Sequence, residues 1–333
     1  MNDSSRRALR IALVLLAVAA VVAAPFLLRN YRVFQFTLVL VYAIAVLGLN
    51  ILTGFNGQIS LGHGAFYAVG AYTAALLLER AGLPFWSTLP AAAAACFVLG
   101  FLMGFPALRL GGPYLALATF AFALAVPQLL KFKGIEGLTG GVQGIVLTKP
   151  EPPAGLQFLG PALNADRWLF FVTLAVTAAV FLLAWNLLHG RVGRALVAIR
   201  EQPIAAAAMG IDLPLYKSLT FGISAACTGV AGALGAVAVG FVSPDSFTVL
   251  LSISLLVGVV VGGLASIPGA FAGALFIQFV PNLADQVSKS APWAIYGGCL
   301  IACMVLMPGG AAGLVRRLRA RAAPAAARGE SRP

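Results

Sequence analysis

The sequence predicts an all-α integral membrane protein, a polytopic bundle of about eight to ten transmembrane helices. Three observations carry that prediction. Hydrophobic residues make up 61% of the 333 residues and charged residues only 10%, with a mean hydropathy of +0.97; a soluble domain typically has roughly 45–50% and about 25%. The apolar residues fall in runs close to the about 20 residues that a helix needs to cross a bilayer core. Those runs are built from Ala, Leu, Val and Gly without long alternating stretches, which favours helices over a membrane barrel.

Read in order, the runs place spans near 10–28, 34–53, 63–79, 88–108, 113–130, 168–188, 218–241, 248–264, 268–284 and 292–309. The third and ninth are short or broken, which sets the lower bound of eight. Arg6, Arg7 and Arg10 before the first run, with small residues at Ala19–Pro25, also have the layout of a cleaved signal peptide. An uncleaved first helix is expected instead, because cleavage would leave the basic segment 189–217 on the wrong side of the membrane.

The net charge of +12 has its own pattern. Basic residues gather at Arg6, Arg7 and Arg10, at Arg191, Arg194 and Arg200, and at Arg316, Arg317, Arg319 and Arg321. No basic stripe interleaved with aromatics is present, so a nucleic-acid partner is not expected. Ten spans with the N-terminus inside put all three clusters, with Arg109, Lys217, Arg328 and Arg332, in the cytoplasm, as the positive-inside rule requires. Both termini are therefore expected to be cytoplasmic, with membrane lipid as the surrounding partner. Arg109 reads as an anchor at a cytoplasmic helix end. Residues 1–316 read as one transmembrane domain, and 317–333 as a basic, disordered tail. The interruption from Lys131 to Arg167, with GLTGGVQGI and then Pro150, Pro152 and Pro153, suits a lid or short helix on the outer surface.

Several chemistries lack the residues they need. No G-x-x-x-x-G-K-[ST] occurs, so the chain holds no P-loop for ATP. The two histidines lie far apart in sequence, and no carboxylate pair shares an apolar helix face; an enzyme and a bound cofactor are not expected. Cys299 and Cys303 are one turn apart, but all four cysteines lie in apolar runs and read as small hydrophobes rather than metal ligands. Every acidic residue falls at or beyond a span edge. A proton- or sodium-coupled carrier would place such a group within the membrane, so energy is expected from a partner.

Two segments carry the functional expectation. The first, LNILTGFNGQISLGHGAFYAVGAYTAA at 49–75, is a discontinuous segment near 54–64 between two apolar runs. Glycine and amide groups at membrane depth need cover from protein or water, so such a break normally lines a cavity. Asn50, Asn56, Gln58 and Ser60 are candidates to line a translocation path; the alternative is that they satisfy broken backbone or bond between helices. His63, following Gly62, is a fifth candidate for the path, although its place fits a packed structural turn better than a solute contact. Gly70, Gly229, Gly232, Gly262, Gly263 and Gly269 are expected to permit close helix approach.

The second is the basic loop HGRVGRALVAIREQPIAAAAMGIDLPLYK at 189–217. Its Ala-rich stretch predicts a short helix ended by Gly210, with Pro203 in the first turn of a second piece and Asp212 capping the next helix. A partly apolar helix held between two spans suits a groove on a cytoplasmic partner. The alternative is a plain basic loop that only sets topology.

At this loop the chain resembles the permeases of branched-chain amino acid ABC transporters, specifically their LivM-type subunits. Four stretches carry the likeness: 49–75; GGPYLALATFAFA (111–123) with GLTGGVQGI (137–145); GRALVAIREQPIAAAAMGIDLPLYK (193–217); and SISLLVGVVVGGLASIPGAFAGAL (252–275). The resemblance implies an importer of the bacterial inner membrane, completed by a second, homologous permease subunit, two cytoplasmic ATPase subunits and a periplasmic substrate-binding protein. It also implies that the third stretch engages the ATPase, with Arg194, Arg200, Glu201, Gly210 and Asp212 as its residues. This chain has Ala207 and Ser254 where the family often has acidic residues. Alternatives are a permease of the same class for urea, short amides or sugars, and a stand-alone secondary carrier.

Overall fold

Prolines, glycines and short polar side chains punctuate the apolar runs, and most helix ends fall there. The structure, a computed structural model, describes residues 21–109, 112–153, 164–287, 292–307 and 309–322. The first arginine cluster, most of the run 10–28, Lys289, Arg328 and Arg332 lie outside the described residues, as does the side chain of Arg109. Residues 21–27 are helical.

Among the described residues, twelve further α-helices longer than four residues follow. They are α1 (Asn30–Asn50), α2 (His63–Glu79), α3 (Phe85–Arg109), α4 (Pro113–Leu130), α5 (Ala165–His189), α6 (Arg191–Glu201) and α7 (Pro203–Ala208). Then come α8 (Leu213–Val239), α9 (Val249–Gly262), α10 (Gly269–Val287), α11 (Pro292–Leu306) and α12 (Gly310–Ala322). Pro113 begins α4, where the missing N–H costs least. The Asn164 side chain accepts from Arg167 N–H to cap α5, and Asp212 accepts from Leu215 N–H to cap α8.

Among the described residues, seven helical segments are long and apolar enough to cross a membrane: Asn30–Phe55, Phe85–Pro106, Pro113–Leu130, Ala165–His189, Leu213–Val239, Pro244–Gly262 and Ala294–Arg317. Of the other three predicted runs, 10–28 lies mostly outside the described residues, and the two short ones are α2 with 17 residues and α10 with 19. Gln278, Pro281, Asn282 and Asp285 interrupt the apolar run of α10.

The long helix α8 sits at the centre and packs against α1, α2 and α3. Lipid is as apolar as any side chain, so helices here associate through close backbone approach rather than hydrophobic exclusion. The residues match that need. A Cβ at Gly70 on α2 would overlap the backbone of Gly229 on α8, and one at Gly232 would overlap the Tyr67 carbonyl. Gly262 and Gly269 face each other across the turn from α9 to α10 in the same way.

Contacts sort the helix termini into two ends. At one end the segment 131–153 lies across the bundle, with a single helical turn at Glu136–Thr139 and a two-residue strand, β1 (Ile145–Val146), paired antiparallel to β2 (Phe241–Val242). Lys131 pairs with Asp245 there, Lys149 with Asp166, and Arg80 donates to the Gly137 carbonyl. At the other end lie α6 and α7, the turn after α9, and the start of α12. Helix α12 carries Arg316 and Arg317 and continues to Ala322, because Ala, Leu and Arg are strong helix formers. Residues 323–333 lie outside the described residues.

Candidate functional site at the broken helix

Beyond Asn50 the α-helical hydrogen-bond ladder of α1 loosens into a π turn, Ile51–Phe55. Asn56 N–H reaches the Ile51 carbonyl at 3.3 Å and Gln58 N–H the Leu52 carbonyl at 3.1 Å. Gly57 then takes a φ of +75°, which side-chain-bearing residues rarely adopt. Residues 58–62 run without regular structure to His63, where α2 begins.

Apart from the exposed Gly57 and Ile59 the break is buried or half-buried, so its free backbone groups need partners from elsewhere. Three other helices supply them. Leu61 N–H donates to Thr119 Oγ1 of α4 at 2.9 Å, and Gly64 N–H to Ser252 Oγ of α9 at 2.8 Å. From α8, Ser224 Oγ donates to the Gly48 carbonyl at 2.6 Å and lies 2.7 Å from His63 Nε2. Ser224 gives its one proton to Gly48, so His63 Nε2–H is the donor in that pair. His63 Nδ1 then accepts from the Ser60 hydroxyl at 3.0 Å. A neutral imidazole thus links the break to α8, as one relay from Ser60 to the Gly48 backbone.

Asn50 joins this break to a second one. Between α9 and α10 the backbone opens at 263–268, and Ala265 has a φ of +56° despite carrying a side chain. Asn50 Oδ1 accepts from Ala265 N–H at 3.0 Å, and its Nδ2 donates to the Ser266 carbonyl at 2.9 Å. Only glycine fits at position 54, where a Cβ would lie 2.5 Å from Ala265 N. Asn56 Nδ2 donates to Gln58 Oε1 at 2.9 Å, but Asn56 Oδ1 is buried with no hydrogen-bond partner. Asn50, Asn56, Gln58, Ser60 and His63 are therefore all buried around one feature.

The basic loop reaches the same feature. Arg200 Nη1 donates to the Gly54 carbonyl at 2.6 Å, while the rest of its guanidinium pairs with Glu201. Its methylenes pack beside Gly57, where a Cβ would stand 2.8 Å from Arg200 Cγ. The loop helix and the break, 146 residues apart in sequence, are in direct contact. Gly210 has a φ of +83° and ends the short α7. Arg194, Glu201 and Asp212 are exposed, as is Ala207, and Ser254 is half-buried on α9. Sequence reasoning missed Ile204 and Met209, which are 85% and 84% exposed at this end. Their signal was present as two bulky apolar residues flanking an alanine run on a short surface helix.

Comparison with known proteins bears on this arrangement. Residues 31–307 match the family model described as the branched-chain amino acid transport system permease component. The chain is 36% identical over 318 residues to the high-affinity branched-chain amino acid transport system permease protein LivM of Escherichia coli K12, covering 90% of this chain and 73% of that protein. LivM of Salmonella typhimurium is also 36% identical, over 307 residues, covering 87% and 72%. The permease protein LivH of Escherichia coli K12 is 25% identical over 283 residues, covering 82% and 91%.

Proposed function

The chain belongs to the family of branched-chain amino acid transport system permease components, and from that premise we propose that it carries branched-chain or related amino acids across the membrane within an ATP-driven importer. It is a multi-pass membrane permease subunit and not an enzyme, and it works with other subunits of an ABC transport system. The further assignments are our reading: a second, homologous permease subunit completes the path, two ATPase subunits dock on α6 and α7, and a binding protein delivers solute at the opposite end. Residues 1–316 act as one transmembrane unit.

The contact of Arg200 with Gly54 is the observation that carries the coupling mechanism. A partner that moves α6 pulls directly on the π turn, and Asn50 passes that displacement to the turn between α9 and α10. Exposed Ile204 and Met209 supply the apolar surface for the ATPase groove, with Arg194 and Glu201 beside them. The basic helices α6 and α12 stand at the same end, which supports a cytoplasmic placement of that end and of the C-terminus. Asn50, Ser60 and His63 serve as framework, since their hydrogen bonds are satisfied within the chain. Asn56 and Gln58 remain our candidates to meet the solute, a reading supported by the buried Asn56 Oδ1 having no hydrogen-bond partner.

Co-purification from a bacterial membrane, followed by ATPase assay with and without candidate binding proteins and branched-chain amino acids, tests the reading. ATPase subunits should come with the chain and turn over faster with liganded binding protein. A chain that purifies alone and moves solute along an ion gradient in liposomes overturns it.

A further inference from the structure

A cavity of about 300 Å³ opens between the far end of α4 and the segment 244–250 leading into α9. Its walls combine opposite charges with an apolar patch. Lys131 and Asp245 pair at its edge, Gln128 and Thr248 add polar groups, and Leu124 and Val249 supply apolar surface. We infer that this cavity is a way-station for a zwitterionic amino acid, with Lys131 taking the α-carboxylate, Asp245 the α-ammonium, and Leu124 and Val249 the aliphatic side chain. The inference rests on the amino-acid reading above and names the residues that would recognise that class of solute.

Five features support it. The volume lies at the lower limit of the roughly 300–1,000 Å³ of small-molecule sites, suited to one amino acid. Urea or a short amide presents no pair of full charges for Lys131 and Asp245 to hold. The direct ion pair is easily exchanged, because Asp245 is 63% exposed and such pairs add little net stability. A flexible lysine stem also lets Nζ swing away from Asp245 to admit a bridging ligand. Beside the pair, Tyr72 packs on Phe247 and keeps a buried hydroxyl without a hydrogen-bond partner.

The placement also links occupancy to the break. The cavity lies between α4 and α9, the two helices whose Thr119 and Ser252 hold Leu61 and Gly64. A ligand wedged between the end of α4 and the start of α9 bears on the helices that fix the broken segment.

The test uses the permease purified with its co-purifying subunits, reconstituted in liposomes and exposed to a diazirine analogue of leucine. Photolysis should leave adducts on 123–131 or 244–250, competed by leucine. Lys131→Gln and Asp245→Asn should each cut that labelling about tenfold, the loss of one charge-assisted contact. The exchanged pair, Lys131→Asp with Asp245→Lys, keeps an ion pair and should leave thermal stability unchanged, but should not regain labelling by the L-enantiomer. Adducts mapping elsewhere, or labelling unchanged in the single variants while leucine uptake proceeds, would overturn the inference. A wild-type complex that imports neither leucine nor any other amino acid refutes the amino-acid reading itself, and the way-station falls with it.

Discussion

Replacing His63 with leucine separates a structural histidine from one that acts on solute or protons. The side chain is fully buried, with Ser224 Oγ at 2.7 Å and Ser60 Oγ at 3.0 Å. Leucine fills much of the space and removes both hydrogen bonds. Hydrogen bonds between membrane helices average about 0.6 kcal/mol and reach about 1.7 kcal/mol, so losing two amounts to roughly 1–3 kcal/mol. Neither serine is left bare: Ser224 still donates to the Gly48 carbonyl, and Ser60 still accepts from Gly62 N–H. That places the expected loss in the lower half, about 1–2 kcal/mol.

Thermal unfolding in detergent, followed by exposure of the fully buried Cys96 thiol, measures it as a Tm lowered by a few degrees. Ser224→Ala removes the same 2.7 Å bond from the other side, so the double variant should lose less than the sum of the singles by about 0.6 kcal/mol. Uptake per folded complex should persist in the leucine variant. Abolished uptake with an unchanged Tm would refute the reasoning, since the histidine would then be acting in transport and not in holding the break.

Other perturbations separate coupling from packing. Arg200→Gln should keep the ATPase bound but lower uptake per ATP several-fold, because the link to the Gly54 carbonyl is lost; wild-type stoichiometry in liposomes would count against the lever. Ile204→Asp should weaken ATPase co-purification while leaving Tm unchanged, since the side chain touches solvent in the free subunit. Gly232→Ala should destabilise by about 1–3 kcal/mol, as overpacking does, because its methyl overlaps the Tyr67 carbonyl where α2 meets α8; an unaltered Tm would show that this crossing relaxes freely. Gly210→Pro should abolish substrate-stimulated ATPase while the chain still inserts, since a φ of +83° is closed to proline.

The spans were legible in the residues alone, because a bilayer demands a fixed length of apolar helix and leaves little freedom in how that is written. So were the stop at Gly210, the start at Pro203, the cap at Asp212 and the break near 54–64, since each arises from the backbone preference of a residue or its neighbours. Gly70, Gly229 and Gly232 were legible as close-contact glycines, though not which helices they join. Tertiary packing alone brought Arg200 to Gly54, tied one break to the other through Asn50 across 216 residues, leaned His63 on Ser224, and set Lys131 and Asp245 beside a cavity. Those pairings depend on how helices cross. Crossing angles arise from the summed packing of whole faces, which no local pattern of residues encodes.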